Sequence, residues 1–324
     1  MSVNRNNPDK WKQDVIDSVD YYNKWFVEFA PSVFKENRLK SSNKVKIVFD
    51  LTDNLKKVNP TVLKQSPGIL PVLRMTTCPP IARDRLIGLS QVPVNLVSRM
   101  EDQDDPSIPP RMSDKEVTDN LEKICETYRK LIDYDLFPWI KPNRTPDDVE
   151  LDRSSLIIAD RLCGAISDPI LRNAQEQRQL TKIQKWLEER GYQFVESGEM
   201  DLDNPRPGTF TFRHNVRVSV GDDPEHEKEV NIPVDACIIR KTFVQGDLPI
   251  LVEAKSAGDF TNVNKRRKEE AQKMNSLKKK YGSNVEFILF LSGYFDTGYL
   301  GYEAAEGIDW VWEHRIDDFE KVGL

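Results

Sequence analysis

Two acidic residues and one lysine stand at spacings that allow them to meet on neighbouring β-strands. Glu253 and Lys255 flank Ala254 in an apolar, strand-like run. Alternate side chains of a strand share one face, so Glu253 and Lys255 are expected to project together while Ala254 points into the core. Asp235 lies on the preceding strand-like run, and a hairpin between the two runs brings it beside Glu253. The sequence thus predicts two carboxylates and an ammonium group at one edge of a sheet.

These side chains suit a Mg²⁺ site that hydrolyses phosphodiester bonds. Mg²⁺ takes oxygen ligands and keeps several waters, so Asp235 and Glu253 are the candidate ligands, and the Ala254 carbonyl oxygen can add a neutral one. Lys255 can orient a metal-bound water and offset charge that develops on the phosphoryl group. The same spacing also fits a solvent-exposed cluster of salt bridges, and the spacing alone favours neither interpretation.

A further acidic residue, Glu176, falls on the apolar stripe of a predicted helix. It lies in register with Leu180, Ile183 and Leu187, which recur at helical spacing. A carboxylate in register with a buried stripe is costly without a partner, and a metal site behind the helix would supply one. An exposed first helical turn explains the same position equally well.

Basic residues open the helix that is predicted over 262–281, soon after Lys255. Cations near a helix N-terminus suit a DNA phosphate. The candidate DNA-binding residues here are Asn264, Lys265, Arg266 and Arg267. The alternative is an ordinary solvated helix face in which Arg267 pairs with Glu270.

A second candidate for DNA contact lies in the N-terminal half. Arg83 and Arg85 flank Asp84 shortly after two prolines. They predict a DNA-facing loop in which a guanidinium group reads guanine. A structural turn closed by salt bridges is the alternative.

The N-terminal half has the patterns of helices joined by irregular segments. An amphipathic helix is predicted over 9–30 and ended by Pro31, and a short strand is predicted over 45–49. Frequent prolines argue against long elements over 60–93. The remaining predictions are an exposed loop over 101–115, a helix over 116–133 and an irregular connection over 138–146.

The C-terminal half alternates between helical and strand-like patterns. A helix over 169–190 is followed by strands over 192–196, 209–220, 230–240 and 250–255, then by a helix over 262–281 and an apolar strand over 285–291. A strand–helix–strand unit places its strands parallel with a right-handed connection. An α/β layer structure is therefore predicted for this half.

Composition narrows the classes of protein. Across 324 residues the net charge is −6, which argues against a protein that coats nucleic acid by bulk positive charge. No apolar run is long enough to span a membrane, and the polar N-terminus predicts no secretory signal. The four cysteines are scattered and the three histidines give no zinc-ligand spacing. These features predict a cytoplasmic protein without a membrane partner.

The run over 252–270 resembles the XamI family of type II restriction endonucleases, which belongs to the PD-(D/E)XK nuclease superfamily. Segments over 77–86, 172–179 and 303–310 are similar as well, so the resemblance covers most of the chain. It implies an α/β fold with a restriction-endonuclease-like PD-(D/E)XK core, in which helices flank a mixed central sheet, and a largely helical N-terminal region.

The resemblance also assigns roles to residues. Asp235 would be the first acid of the motif, Glu253 and Lys255 its second half, and Glu176 the upstream helical acid. The motif's proline is not adjacent to the aspartate here, because Val234 intervenes. Asp201 and Asp203 are alternatives for the first acid, but they lie in a proline-containing loop, so Asp235 is preferred.

The family further implies Mg²⁺ as cofactor, double-stranded DNA as substrate, a homodimer and a cognate DNA methyltransferase encoded nearby. A twofold protein suits a palindromic target. Residues 151–324 would form the catalytic domain, and residues 1–150 a mainly helical region for DNA recognition or dimerisation.

Two other functions stay open from the sequence. One is a nuclease of the same fold used in repair or recombination, although the chain lacks the GxxxxGK[ST] motif of motor-coupled enzymes. The other is a DNA-binding or assembly module that has kept the fold without catalysis. The presence of all three motif residue types argues against the second alternative.

Overall fold

The structure is a computed structural model that describes residues 2–220, 228–261 and 263–324, with side chains at all of these except 219, 220, 228 and 263–267. Its contacts divide the chain into two compact units. The sheet unit comprises Met1–Phe29 and Arg172–Leu324, and the helical unit comprises Ala30–Leu171. The assignment of DNA recognition or dimerisation to residues 1–150 stays a prediction.

The described elements that precede the first strand are all helices. They are α1 (Pro8–Leu51), α2 (Pro60–Gln65), α3 (Leu70–Met75), α4 (Arg83–Ser90), α5 (Val94–Met100), α6 (Asp114–Leu131) and α7 (Asp148–Glu189). The proline-rich segment holds only short helices, as expected. The predicted helix over 116–133 is confirmed as α6, whose N-terminus is capped because the Ser113 side chain accepts a hydrogen bond from the Glu116 N–H.

The predictions for the first helix were wrong at Pro31 and over 45–49. Helix α1 continues through Pro31 to Leu51, and the expected short strand is part of this helix. Val45, Val48 and Phe49 are all buried in the core of the helical unit. These three residues follow helical rather than strand spacing, and their burial compensates for the cost of a proline inside a helix, about 3 kcal/mol.

The start predicted for the second long helix was also wrong. Helix α7 begins at Asp148 and passes through Pro169, although its end before Gly191 is as predicted. Ile158 and Leu162 are buried in the helical unit at helical spacing. Packing of this upstream stretch explains why the helix does not start at the proline.

The sheet unit is built on a mixed six-stranded sheet, counted over the described ranges. Its strands lie side by side in chain order: β1 (Gln193–Phe194), β2 (Thr209–Val220), β3 (Lys228–Ile238), β4 (Ile250–Ala257), β5 (Glu286–Gly293) and β6 (Asp309–Trp312). Strand β3 is antiparallel to both of its neighbours, β2 and β4, whereas β1 pairs with β2, β4 with β5 and β5 with β6 in parallel. Helices α8 (Val263–Tyr281) and α9 (Thr297–Ala305) form the two crossovers. The predicted parallel strand–helix–strand unit is confirmed.

Helices cover both faces of the sheet. Leu251 and Leu289 pack with Leu277 of α8 on one face. Val252 and Phe290 pack on the other face in the cluster that holds the α7 stripe, which includes Ile183 and Leu187. Burial on both faces explains why β5 is almost wholly apolar. The residues of β4 therefore alternate between the α8 face and the α7 face.

In the part of the chain that the structure describes, no helix combines the length and the apolar character that a bilayer crossing needs. The long helices α1 and α7 carry charged residues along their length.

Candidate metal and nuclease site

The antiparallel pairing of β3 with β4 brings the predicted acids together. Ala236 pairs with Val252, so the adjacent residues Asp235 and Glu253 occupy neighbouring positions. Asp235 Oδ2 also accepts a hydrogen bond of 2.7 Å from the Ala254 N–H, which fixes the carboxylate against β4. The hairpin that the sequence predicts is therefore present.

Glu253 and Lys255 share the α8 face of β4. The Lys255 Nζ atom lies 2.9 Å from Glu253 Oε1, and the side chains are 19% and 6% exposed. A lysine and a glutamate this buried are not the solvent-exposed salt bridge of the alternative interpretation. Ala254, on the other face, is only half-buried.

Helix α8 adds two charged residues that the sequence analysis did not assign to the site. Lys273 Nζ donates to both carboxylate oxygens of Glu253, each at 2.7 Å. Glu270 is 1% exposed, and its Oε1 lies 3.7 Å from Lys255 Nζ. Together these residues form a carboxylate–lysine cluster, whose members are Asp235, Glu253, Lys255, Glu270 and Lys273.

A signal for the α8 residues was present in the sequence. Glu270, Lys273, Met274 and Leu277 recur at three- and four-residue steps, so one helix face carries both the charged pair and the apolar stripe. The spacing places Glu270 on or beside this stripe, and the alternative interpretation pairs it with Arg267 on a solvated face; the Arg267 side chain lies outside the described set. The structure instead buries Glu270 against β4.

Burial dominates the electrostatics of two carboxylates in the cluster. Burial, followed by repulsion from Glu253, raises the pKa of Asp235 to about 6. Burial raises the pKa of Glu270 to about 7, against a smaller lowering effect of Lys255. Burial alone would lower the pKa of Lys255, but attraction to Glu253 and Glu270 outweighs it and raises that pKa. A cation bound here would relieve the repulsion between the carboxylates.

The donor set fits a hard divalent cation. Asp235 and Glu253 offer carboxylate oxygens from adjacent strands, which is the chemistry that Mg²⁺ selects. Both oxygens of Glu270 are buried and, among the residues described here, neither has a hydrogen-bond partner. Buried carboxylate oxygens without partners are expected where a cation or water is missing. A ligand role for the Ala254 carbonyl stays a prediction.

Glu176 does not join the cluster in this structure. Its Oε1 lies 2.9 Å from Arg213 Nη2 on β2, and the two side chains are 38% and 67% exposed. The recorded contacts of the described side chains place it against none of the five cluster residues. The alternative of an exposed first helical turn does not hold either, because Glu176 lies well inside α7, where its half-buried carboxylate is paired with Arg213.

Another polar residue of α7, Gln179, reaches the strand behind the cluster. Its Nε2 donates to the Phe290 carbonyl at 2.9 Å and to the Lys255 carbonyl at 3.3 Å, and its Oε1 accepts from Ser256 Oγ at 3.0 Å. Gln179 therefore holds β4 and β5 at the level of Lys255. The sequence signal was its offset of four residues from Ile183 in the buried stripe.

The alternative first acids lie apart from the cluster. Asp201 and Asp203 are exposed, and the Asp201 carboxylate accepts a hydrogen bond from the Asp203 N–H at 2.9 Å. This local turn explains both residues without a metal. The geometry therefore favours Asp235, as the sequence analysis does.

The predicted DNA-binding residues are exposed or outside the described set. Arg83 and Arg85 lie in the first turn of α4, and Arg83 Nε is 3.6 Å from the exposed Asp84 carboxylate. This is a short helix rather than a loop, and the weak ion pair leaves both guanidinium groups at the surface. The side chains of Asn264, Lys265, Arg266 and Arg267 lie outside the described set.

Comparison with known proteins gives two matches. The sequence model of the XamI restriction endonuclease family matches residues 53–312. The chain is 49% identical over 322 residues to the type II restriction enzyme SalI of Streptomyces albus G, and the match covers 99% of each chain. No solved structure matches. All five residues of the carboxylate–lysine cluster fall within the family match.

Proposed function

Because this chain belongs to the XamI restriction endonuclease family, we propose that it is a type II restriction endonuclease that hydrolyses phosphodiester bonds at a specific short sequence of double-stranded DNA. The observation that carries the proposal is the convergence of Asp235, Glu253 and Lys255 where β3 meets β4. Buried carboxylates beside a lysine are a costly arrangement that a catalytic role explains.

We further propose that the sheet unit is a PD-(D/E)XK core. Two features support this assignment: the acid and the Glu-x-Lys run lie on adjacent antiparallel strands, and the next strand is reached by a helical crossover. Helices α7 and α8 then cover the two faces of the sheet around the cluster.

The proposed cofactor is Mg²⁺, held by Asp235 and Glu253. When bound, it would polarise a phosphoryl oxygen and lower the pKa of a coordinated water. Lys255 would orient the attacking water or stabilise the transition state, because its ammonium group can donate a hydrogen bond to that water or to the phosphate oxygen that gains negative charge. Although burial would lower the pKa of Lys255, attraction to Glu253 and Glu270 outweighs it and raises that pKa, which favours the protonated form before metal binds.

Glu176 remains a candidate member of the site only as a prediction. In its recorded contacts it pairs with Arg213. Cleavage by Glu176→Gln decides the question: an unchanged rate assigns Glu176 to the ion pair, and a strong loss assigns it to the site.

The proposed partners follow from the family. Double-stranded DNA is the substrate, a homodimer matches a twofold target, and a cognate methyltransferase protects host DNA. The cysteines Cys78, Cys125, Cys163 and Cys237 are free thiols, in keeping with the proposed cytoplasmic location.

Digestion of a sequenced plasmid with Mg²⁺ tests the proposal, with every cut end mapped. Discrete fragments with one sequence at all ends are expected. A smear would indicate a nuclease without site specificity, and intact plasmid would indicate a non-catalytic DNA-binding module. Glu253→Gln serves as the inactive control, and Glu269→Gln, an exposed glutamate on α8, serves as the matched active control.

A further inference from the structure

Lys273 neutralises the very oxygens that the proposed metal needs. Its Nζ lies 2.7 Å from Glu253 Oε1, 2.7 Å from Glu253 Oε2 and 2.8 Å from the Pro233 carbonyl oxygen. An ammonium group has three protons, so these three contacts use all of them. Lys273 is therefore fully engaged in bonds that hold the Glu253 carboxylate.

A divalent cation and this ammonium group compete for the same position. Mg²⁺ binds a carboxylate oxygen at about 2.0–2.1 Å and would approach the same two oxygens that Lys273 contacts. The two cations also repel each other at such a separation. Metal binding at Glu253 thus favours withdrawal of Lys273 from one or both oxygens.

Lys255 is less suited to be the group that leaves. It contacts only one oxygen of Glu253, at 2.9 Å, and has a second carboxylate, Glu270, at 3.7 Å. The other recorded acceptor of Lys273 is the neutral Pro233 carbonyl, and its side chain is 23% exposed. Lys273 can therefore move towards solvent without leaving a second carboxylate, whereas Lys255 would move away from both Glu253 and Glu270.

We propose that Lys273 is a resident counter-cation of the metal site, which occupies Glu253 until a divalent cation displaces it. The inference rests on the proposed metal-dependent function and adds a residue that controls how readily the site loads. Without metal, Lys273 keeps a buried carboxylate paired and so stabilises the fold. With metal, the same lysine is released, and its displacement lowers the observed metal affinity.

Calorimetric titration of the full chain with Mg²⁺, without DNA, tests the proposal. Lys273→Met keeps most of the side-chain volume and removes the charge, so metal affinity is expected to rise about tenfold or more. Lys273→Arg keeps a competing cation and should bind no more tightly than the wild type. Lys278→Met is the matched control, because Lys278 lies on the same helix and donates to the Glu306 carbonyl at 3.0 Å rather than to the cluster, so the affinity should stay unchanged.

An unchanged or weaker affinity in folded Lys273→Met would overturn the proposal, as would the absence of metal binding in both proteins. A second measurement needs no variant. Brief acetylation of the wild type, read by mass spectrometry, is expected to modify Lys273 several-fold faster with Mg²⁺ than without it, and Lys278 equally in both. Equal labelling of Lys273 in both conditions would contradict displacement.

The titration and the labelling can fail while the proposed nuclease function holds, so the two failures can be told apart. Plasmid cleavage decides whether the chain is a nuclease, whereas the titration and the labelling concern metal and lysine alone. Cleavage with unchanged metal affinity in Lys273→Met would leave the nuclease assignment standing and remove this inference.

Discussion

Two of the charged clusters described in the sheet unit differ in how their carboxylates are compensated. In the Arg315 cluster, which comprises Asn4, Asp14, Arg315 and Asp318, Arg315 donates to Asp14 at 2.6 and 3.1 Å and to Asp318 at 2.6 Å. Asn4 Nδ2 adds a further hydrogen bond to Asp318 at 3.1 Å. In the carboxylate–lysine cluster, two carboxylates lie beside each other and Glu270 is 3.7 Å from its nearest recorded cation.

The pKa values of the buried carboxyl groups shift in opposite directions in the two clusters. Burial would raise the pKa of Asp318, but hydrogen bonds from Lys321, Arg315 and Asn4 outweigh it and lower that pKa. At Asp235 and Glu270 burial dominates, and the pKa values rise. Charge that is satisfied by bonds supports the fold. Charge that is left uncompensated lowers stability and marks the place where a ligand cation would act.

The largest expected effect lies in the carboxylate–lysine cluster. Asp235→Asn is expected to reduce cleavage roughly a thousandfold, because it removes a proposed metal ligand. Lys255→Ala should reduce cleavage comparably but weaken Mg²⁺ binding much less, because its proposed role is at the water and the phosphate. Single-turnover cleavage and calorimetry measure the two effects.

Matched variants of the alternative acids sharpen this result. Asp201→Asn and Asp203→Asn are expected to cut at the wild-type rate, because both residues belong to an exposed turn. A loss of cleavage in either, with normal cleavage in Asp235→Asn, would move the first acid of the motif away from Asp235.

The Arg315 cluster should respond in stability instead. Arg315→Met leaves Asp14 and Asp318 buried without their main partner, so the free energy of unfolding is expected to fall by about 3 kcal/mol. Cleavage per folded molecule should not change. Denaturant unfolding measures the effect, and Arg129→Met, which breaks an exposed pair with Glu122, is the control with little expected change. A cleavage defect in folded Arg315→Met would contradict the assignment of a purely structural role to the Arg315 cluster.

Substitution of Glu270 is expected to raise the free energy of unfolding, whereas substitution of Arg315 is expected to lower it. Its pKa in the folded protein is raised from 4.5 to about 7, so the folded state binds the proton more tightly than the unfolded state. The wild type therefore loses stability as pH rises through that window, whereas Glu270→Gln stays neutral. Above pH 7 the variant should be more stable by up to about 3 kcal/mol.

Unfolding in urea across this pH range measures the difference between Glu270→Gln and the wild type. The difference should shrink as pH falls towards 4.5. Glu269→Gln, on the exposed side of the same helix, should show no such trend. A variant that is less stable than the wild type at high pH would mean that Glu270 is compensated like Asp318.

The smallest effects are expected from exposed charges. Arg83→Ala or Arg85→Ala should weaken specific DNA binding by roughly 1–3 kcal/mol if that side chain contacts a base. Random DNA should then compete more effectively. Equal discrimination between cognate and random DNA by variant and wild type, at matched salt, would assign both arginines to local structure.

Local periodicity predicted the elements that carry the site. Alternation along β4 placed Glu253 and Lys255 on one face, and the order of the runs predicted the pairing with Asp235. The apolar run of β5 predicted a strand covered on both sides. These features depend on residues that are close together in the chain, so they can be predicted from the sequence pattern alone.

Features that depend on distant parts of the chain escaped prediction. By local rules Pro31 ends a helix and Pro169 starts one, but packing in the helical unit extends α1 and α7 through these prolines. The pairing of Asp14 with Arg315 joins residues from opposite ends of the chain. Likewise, the contact of Lys273 with Glu253 depends on how α8 crosses the sheet, which side-chain spacing alone does not give.

The most direct test of the central claim is single-turnover cleavage by Glu253→Gln at a site mapped with the wild type. DNA binding without metal and the free energy of unfolding are measured on the same preparation. The claim predicts a loss of roughly a thousandfold in the Mg²⁺-dependent rate, with DNA binding and folding retained. Cleavage at the wild-type rate by Glu253→Gln would show that the carboxylate–lysine cluster is a structural salt-bridge network and that the catalytic site lies elsewhere.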